Sequence, residues 1–181
     1  MNKKIIKQIE QLVFDLSKNN SDFDWKTHIN LVVKYSKVLS KRLKANEEIC
    51  ILASLLHDIS KMKKDFVDHD IKGSIEAEKI LLNLGYDNLK TLKVKECILT
   101  HSSKKFKPKS VEAKIVASAD AISHFYNFDA FCFYVYNTKN LSKEEGKKLI
   151  LKKYSTAYKK IMPKARYLVK KRYEAIKLIL N

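Results

Sequence analysis

The sequence predicts an all-α fold, and three observations support this. Glycine occurs 3 times and proline 2 times among 181 residues, so the tight turns that β-sandwiches and barrels need are scarce. Apolar residues recur three and four positions apart almost throughout the chain, as in amphipathic helices. The hydrophobic fraction of 45% is too high for a disordered chain. We therefore expect one compact domain over residues 1–181, built as a bundle of about seven helices.

Helix start and stop signals set the order of the predicted elements. Asn46 is a good N-cap because its side chain can accept from free backbone amides, and Glu47 beside it complements the helix dipole. Gly85 and Pro163 are expected to end or break helices. The predicted helices run from about Lys3 to Ser17, Asp24 to Lys44, Asn46 into the pair His57-Asp58, Asp68 to Leu84, Leu89 to Thr100, and Ser110 through Asp120, with one or two more in residues 139–181.

The net charge is strongly positive. Lys and Arg number 37 against 20 Asp and Glu, a formal charge of +17, and such a surplus attracts nucleotides, nucleic acids or other polyanions. Residues 139–181 contain 14 basic residues and 3 acids, so the surplus lies mainly in the predicted C-terminal helices. We expect these helices to pack on the same domain, and they make nucleic acid a candidate partner.

The sequence predicts neither a membrane span nor a disulfide framework. No run of about 18 uncharged apolar residues is present. Glu10 and Asp15 interrupt the N-terminal apolar pattern, which argues against a signal peptide. We therefore expect a soluble, cytoplasmic protein with no membrane partner. Cys50, Cys97 and Cys132 lie far apart in apolar helical runs, so we interpret them as reduced packing residues.

Several ionisable residues fall on the apolar faces of their predicted helices, where polar residues are unusual. These are His28, His57, His101 and Asp120. One such histidine alone is more often a hydrogen-bonded core residue. Burying an unpaired carboxylate costs on the order of several kcal/mol, however, and one shared divalent cation would pair all of these groups. Imidazole and carboxylate ligands suit iron, manganese, cobalt or zinc.

Four segments surround these residues in order: ASLLHDISK, DHDIKGSIEAEKIL, ILTHSS and SVEAKIVASADAI. Together with His28 they resemble the HD-domain superfamily of metal-dependent phosphohydrolases, over about Trp25 to Phe125. The resemblance implies four metal ligands: His28, His57, Asp58 and Asp120. His69 and His101 stand where family members with two metals have further ligands, and Asp58 would then bridge the two ions.

The second metal depends on His69, for which two interpretations remain. Gly73 and Ala77 follow His69 by four and eight positions, and small residues on that helix face allow close approach of another helix. Alternatively, His69 is a surface residue beside Asp68 and Asp70. We expect one or two divalent ions per chain, with iron or manganese favoured and magnesium, cobalt, nickel or zinc also compatible.

Lys61 lies three positions after Asp58, so a continuing helix would put both side chains on one face. The resemblance supports binding of a substrate phosphate by this lysine, and Asp58 and Lys61 are the predicted catalytic residues. The alternative is one more surface lysine. His124 could line the same pocket, one turn after Asp120, but it also begins an aromatic run that is more typical of a core. Candidates for the leaving-group acid are Asp65, Asp68 and Asp129.

The resemblance implies hydrolysis of a phosphate ester or anhydride, of a nucleotide or a related small anionic molecule, by attack of metal-activated water. No P-loop, G-x-G-x-x-G or G-x-S-x-G motif points elsewhere. One alternative is a nucleic-acid-binding module with a vestigial HD centre. A second is a di-iron oxygenase on the same scaffold, against which Lys61 counts weakly. The substrate and the oligomeric state stay open.

Overall fold

The computed structural model describes residues 1–18 and 25–180. Its α-helices are α1 (Lys3–Lys18), α2 (Asn30–Leu43), α3 (Glu47–Leu56), α4 (Ile59–Met62), α5 (His69–Asn83), α6 (Asn88–Thr100), α7 (Val111–His124), α8 (Phe128–Phe133), α9 (Lys143–Lys160) and α10 (Lys170–Leu180). A π-helical turn precedes α2 (Trp25–Ile29), another follows α8 (Tyr134–Thr138), and a 3-10 helix follows α9 (Pro163–Leu168). No β-strand occurs within the described ranges, so the all-α prediction is confirmed. The predicted N-cap Asp24 lies outside them.

Side-chain caps fix the starts of several helices. The Asn46 side chain accepts a hydrogen bond from the Ile49 amide at 3.2 Å, as predicted for the start of α3. Ser110 caps α7 in the same way. Ser142 and Glu145 form a reciprocal capping box at the start of α9. Local sequence thus defines these helix boundaries.

Two short helices were not predicted. The four-residue α4 follows a break in the backbone at Asp58, and the six-residue α8 lies in the aromatic run. That run is only partly core, because Phe133 and Tyr134 remain 64% and 41% exposed. The predicted break at Pro163 is confirmed, since this proline begins the 3-10 helix between α9 and α10.

Two apolar clusters form the core. The first joins α1, α3, α5 and α6, and the second joins α9 and α10 to α2 and α7. α2, α3 and α7 contribute side chains to both clusters: Val33 and Val32 from α2, Ile49 and Cys50 from α3, and Val116 and Ile115 from α7. α2, α3 and α7 therefore lie between the two clusters, with α2 in contact with both α3 and α7. The predicted ligands follow from this arrangement: His28 lies in the turn before α2, His57 directly after α3, and Asp120 on α7.

Cys50 and Cys97 are buried in these clusters, Cys132 is half-buried, and all three are free thiols, as predicted. Burial raises the pKa of Cys50 to about 12, so its thiol stays protonated at neutral pH. Among the described helices, none combines the length and the apolar composition that a bilayer span requires.

A buried carboxylate connects α3 to the chain start and to α6. Glu48 is 5% exposed and accepts hydrogen bonds from the Tyr86 hydroxyl at 2.6 Å, the Asn2 amide at 2.7 Å and the Lys90 ammonium at 3.3 Å. Burial alone would raise the pKa of Glu48, but these hydrogen bonds lower it to about 2. Because the folded-state pKa is below the ordinary value of 4.5, the ionised Glu48 stabilises the fold above that value.

We expect Glu48→Gln to lower the free energy of unfolding by about 1 to 3 kcal/mol at pH 7, because hydrogen bonds to a charged acceptor are lost. The difference from the wild type should shrink as the pH falls from about 4.5 toward 2, where Glu48 itself becomes protonated. Urea unfolding at pH 7 and pH 3 measures both effects. The exposed Glu174→Gln is the matched control and should change stability little; equal losses in both variants would contradict the prediction.

Candidate metal centre

The histidines of this chain meet at one cavity. Of the 5 histidines, all but His57 line a cavity of about 210 Å³. His57 is fully buried, and its ring centre lies 5.1 Å from those of His28 and His101. Asp58 and Asp120 also line the cavity. The structure therefore brings all of the predicted ligands together: His28, His57, Asp58, His69, His101 and Asp120.

A break in the backbone turns two adjacent residues toward this cavity. Successive side chains of a continuous helix point about 100° apart, but α3 ends at Leu56, and Asp58 leaves the helical region with φ −113° and ψ 22°. His57 Nε2 and Asp58 Oδ2 consequently approach to 3.3 Å. Gly73 packs α5 against this turn, since a Cβ at Gly73 would lie 3.6 Å from the His57 carbonyl oxygen. That distance is an ordinary van der Waals contact, so α5 lies against this turn without requiring glycine there.

The first group of potential ligands is His28, His57, Asp58 and Asp120. The Nε2 atoms of His28 and His57 are 3.1 Å apart. Asp58 Oδ2 lies 3.5 Å from His28 Nε2 and 3.3 Å from His57 Nε2, and Asp120 Oδ1 lies 3.6 Å and 3.8 Å from the same two atoms. Two ligands bound at about 2.1 Å and at right angles to one ion are about 3 Å apart, so these separations suit a common ion.

Hydrogen bonds to the outer ring nitrogens determine which nitrogen faces the cavity. His57 Nδ1 lies 2.8 Å from the Ser54 carbonyl oxygen, and His101 Nδ1 lies 2.6 Å from that of Ile98. A carbonyl oxygen can only accept, so both Nδ1 atoms donate. The Nε2 atom of each ring therefore faces the carboxylates, where it can bind a cation.

A serine hydroxyl orients the His28 ring in the same way. The Ser123 hydroxyl donates its one hydrogen to the Asp120 carbonyl oxygen at 2.7 Å. In the 3.1 Å contact with His28, the hydroxyl oxygen is therefore the acceptor and the Nδ1–H group of the ring is the donor. His28 Nε2 then faces the cavity, 3.1 Å from His57 Nε2, and a proton or a metal cation between the two atoms makes this contact favourable.

Asp58 directs its other oxygen to a second group of ligands. Oδ1 lies 3.5 Å from His101 Nε2 and 3.9 Å from His69 Nε2. This oxygen is buried and has no aligned hydrogen-bond donor, although the Lys61 ammonium lies 2.8 Å away as an ion pair. His69 Nε2 also lies 3.1 Å from Asp70 Oδ1. The two oxygens of Asp58 thus face separate sets of imidazoles, as a carboxylate that bridges two ions would.

The pKa values in the cavity reflect mutual attraction between its charges. Burial alone would raise the pKa of Asp58, but His57 and other positive groups hold it well below its ordinary value. Burial would also raise the pKa of Asp120, and Lys160 instead holds it well below the ordinary value. Burial would lower the pKa of His57, but Asp58 raises it. Burial lowers the pKa of His69 to about 4, so this ring is neutral at pH 7.

These residues fit a divalent cation on structural grounds. Buried carboxylates remain ionised, the Nε2 atoms of His28 and His57 lie 3.1 Å apart, and Asp58 Oδ1 lacks an aligned donor. Ligand atoms of His28, His57 and Asp120 lie within 4.8 Å of one another, as do those of His57, Asp58 and His101. A mixed set of imidazoles and carboxylates is typical of borderline transition metals.

Lysines form another part of the cavity wall. Lys61, Lys104, Lys153 and Lys160 all line it. Lys160 Nζ lies 2.6 Å from Asp120 Oδ2, and its side chain is 13% exposed. Burial lowers the pKa of Lys153, whose ammonium is 3.4 Å from a histidine ring nitrogen. The cavity therefore contains both potential ligands for a cation and ammonium groups that can bind an anion.

The sequence did not indicate that α9 contributes to the site. Lys153, Thr156, Ala157 and Lys160 line the cavity with spacings of three, four and seven, which defines one face of α9. That spacing was visible in the sequence. Several faces of α9 are rich in lysine. Which of them lines the cavity depends on how α9 packs against α7, and no local sequence pattern reveals that packing.

His124 lines the cavity, 3.9 Å from Asp120 Oδ1 through its Nε2 atom. Burial lowers the pKa of His124 to about 3, so this ring is neutral. None of the three candidate leaving-group acids lines the cavity: Asp65 pairs with Lys72, Asp68 pairs with Lys105, and Asp129 is exposed.

Comparisons with known proteins agree with this site. The model of the HD domain family matches residues 26–124, more than half of the chain. Ribonuclease Y of Symbiobacterium thermophilum is 38% identical over 93 residues, which cover 51% of this chain and 16% of that protein. The chain thus spans about a sixth of the length of this curated relative.

A solved structure shows the same fold. A predicted HD superfamily hydrolase from an uncultured Thermotogales bacterium superposes with a TM-score of 0.62 and 24% identity, over 84% of this chain and 87% of that one. The chain belongs to the HD domain family, as the sequence motifs predicted. The matched residues include all six predicted metal ligands.

We expect affinity for Mn²⁺ to fall as the pH falls. Asp58 raises the pKa of His57, so a proton competes with the metal over a wider pH range, while both carboxylates stay ionised. Below the raised pKa, His57 is protonated and binds metal weakly. Calorimetric titration between pH 8 and pH 5.5, in buffers with different ionisation enthalpies, measures the affinity and the protons released. Affinity that is independent of pH, with no proton release, would contradict this assignment.

Proposed function

We propose that this chain is a metal-dependent phosphohydrolase that cleaves a phosphate ester or anhydride of a nucleotide or a related small molecule. One observation carries the proposal: buried ligands for a cation and four lysines line a single cavity. Divalent ions and ammonium groups together stabilise the charge of a phosphoryl group during displacement. The name of the partial relative, a ribonuclease, agrees with a phosphate ester as substrate.

The ligands we propose for two ions are His28, His57, Asp58 and Asp120 for the first, and Asp58, His69 and His101 for the second. Iron or manganese suits this mixed nitrogen and oxygen set best, and cobalt, nickel, zinc or magnesium is also compatible. When bound, such ions lower the pKa of a coordinated water toward neutrality and withdraw charge from phosphate oxygens.

The chain's own residues would bind and orient the substrate. Lys61 and Lys160 lie beside the two carboxylates, 2.8 Å from Asp58 Oδ1 and 2.6 Å from Asp120 Oδ2, so they can donate to phosphate oxygens at the edge of the metal site. Lys153 is half-buried and its pKa is lowered by partial burial, which makes its ammonium a better proton donor than an exposed lysine. We propose Lys153 as the source of the leaving-group proton, instead of the three aspartates outside the cavity.

Metal content of the purified chain tests the ligand assignment. We expect two ions per wild-type chain, about one in His101→Ala, and little or none in Asp58→Ala, because Asp58 faces both ligand groups. Elemental analysis of protein purified without chelator measures this. Asp129→Asn, an exposed substitution away from the cavity, is the control and should retain two ions.

Hydrolysis of bis(p-nitrophenyl) phosphate by the same samples tests the activity. Turnover that follows the metal content across the variants supports the proposal. A wild-type chain that neither holds nor takes up iron or manganese would overturn it. Oxygen consumption that depends on ferrous iron, without hydrolysis of any phosphate ester, would favour the oxygenase instead.

We expect Lys61→Gln and Lys160→Gln each to lower kcat/KM for p-nitrophenyl phosphate by about ten-fold or more, because each loses a charged donor to the phosphate. Steady-state kinetics with metal content measured in parallel separates weaker phosphate binding from loss of metal. Lys93→Gln removes an exposed lysine that does not line the cavity and should leave kcat/KM unchanged. Equal effects of all three substitutions would indicate only a general effect of charge.

A further inference from the structure

A second basic groove adjoins the metal cavity. It has a volume of about 390 Å³ and runs between the end of α9, one side of α7 and the loop after α6. Lys160 lines both the groove and the metal cavity, and the adjacent residues Ser102 and Ser103 line one each. The two hollows therefore share Lys160 as part of their walls.

The groove is lined by lysines and by no acid. Its four lysines are Lys107, Lys114, Lys159 and Lys160. Among the described residues, no carboxylate forms an ion pair with the first three groove lysines, and the hydrogen bond of Lys107 Nζ goes to a backbone oxygen, that of Ser103. Most lysines of the described chain likewise form no ion pair, and what distinguishes these is that they share one groove. Like charges in one groove repel each other unless an anion lies among them.

The groove has an apolar floor, and a backbone hydrogen bond fixes its position. Pro108, Met162 and Pro163 line it beside the lysines. The Met162 amide donates to the Ser118 hydroxyl at 3.0 Å, which fixes the end of α9 against α7. Ser103 has φ +57°, a left-handed conformation that is costly for a residue with a side chain and often marks functional loops.

We propose that this groove binds a second phosphate group, carried on the same substrate molecule as the phosphate that is hydrolysed in the metal cavity. The lysines suit the phosphate, and the apolar floor suits the base or sugar. The substrate class is then a nucleotide with more than one phosphate: a nucleoside polyphosphate or a short oligonucleotide. This inference rests on the proposed function, because it takes the metal cavity as the point of hydrolysis.

Binding of non-hydrolysable probes to the full, metal-loaded chain tests the groove. The probes are a four-nucleotide 2′-O-methyl phosphorothioate RNA, ATP with methylene groups in place of its bridging oxygens, and the phosphonate analogue of AMP. The groove variant is Lys114→Gln with Lys159→Gln. The matched control is Lys93→Gln with Lys152→Gln, which removes the same charge from exposed helical positions that line neither hollow.

We expect the groove variant to bind the RNA or the ATP analogue about ten-fold more weakly, and to lower the slope of log affinity against log salt for the RNA by about 1.4. The AMP analogue, with one phosphonate, should bind equally to all three proteins, and the control should match the wild type. Loss confined to the RNA identifies an oligonucleotide as the source of the second phosphate, and loss confined to the ATP analogue identifies a nucleoside polyphosphate.

Equal binding by the groove and control variants would overturn the inference, as would failure of the wild type to bind either multiphosphate probe. Thermal unfolding and metal content of each variant verify that the fold and the metal site are intact. Hydrolysis of bis(p-nitrophenyl) phosphate by the wild type separates the two proposals. Hydrolysis without groove-dependent binding overturns the groove alone, and groove-dependent binding without hydrolysis overturns the phosphohydrolase function alone.

Discussion

The buried carboxylate of Asp58 is the group on which the rest of the site depends. It is 2% exposed, remains ionised, and has one oxygen without an aligned hydrogen-bond donor. A buried charge of this kind is tolerated only when positive charge surrounds it. The Lys61 ammonium provides that charge in part, and His57, whose pKa Asp58 raises, adds to it when it is protonated. As a result, helices from both apolar clusters meet at Asp58.

The residues that meet at the cavity could be predicted because their signal in the sequence is local. His57 and Asp120 interrupt apolar stripes, and the motifs around them place both in one family. The lysines of α9 carry no comparable signal, since one lysine-rich face of a basic helix resembles another until α9 packs against α7. The four-residue α4 was not predicted because no proline or glycine marks the backbone break at Asp58 that precedes it. That break turns Asp58 toward the cavity.

The imidazole rings are oriented by hydrogen bonds that a sequence pattern cannot reveal. His57 and His101 each donate to a carbonyl oxygen three residues earlier, those of Ser54 and Ile98, so the helix that carries each ring also fixes its tautomer. His28 instead relies on Ser123 of α7, at a sequence separation of 95 residues. Two rings are therefore oriented by local structure and one by tertiary packing. Displacement of α7 would disturb His28 first.

The charges of the cavity link cation binding to anion binding. Lys61 and Lys160 pair with the two carboxylates, Asp58 and Asp120, that also face the imidazoles. Each carboxylate attracts its lysine less strongly once a divalent cation neutralises it, because the Coulomb energy of the ion pair depends on the net charge nearby. The same ammonium groups then have more attraction left for a phosphate. Since Lys160 also lines the basic groove, a cation in the cavity would strengthen the proposed anion binding in both hollows.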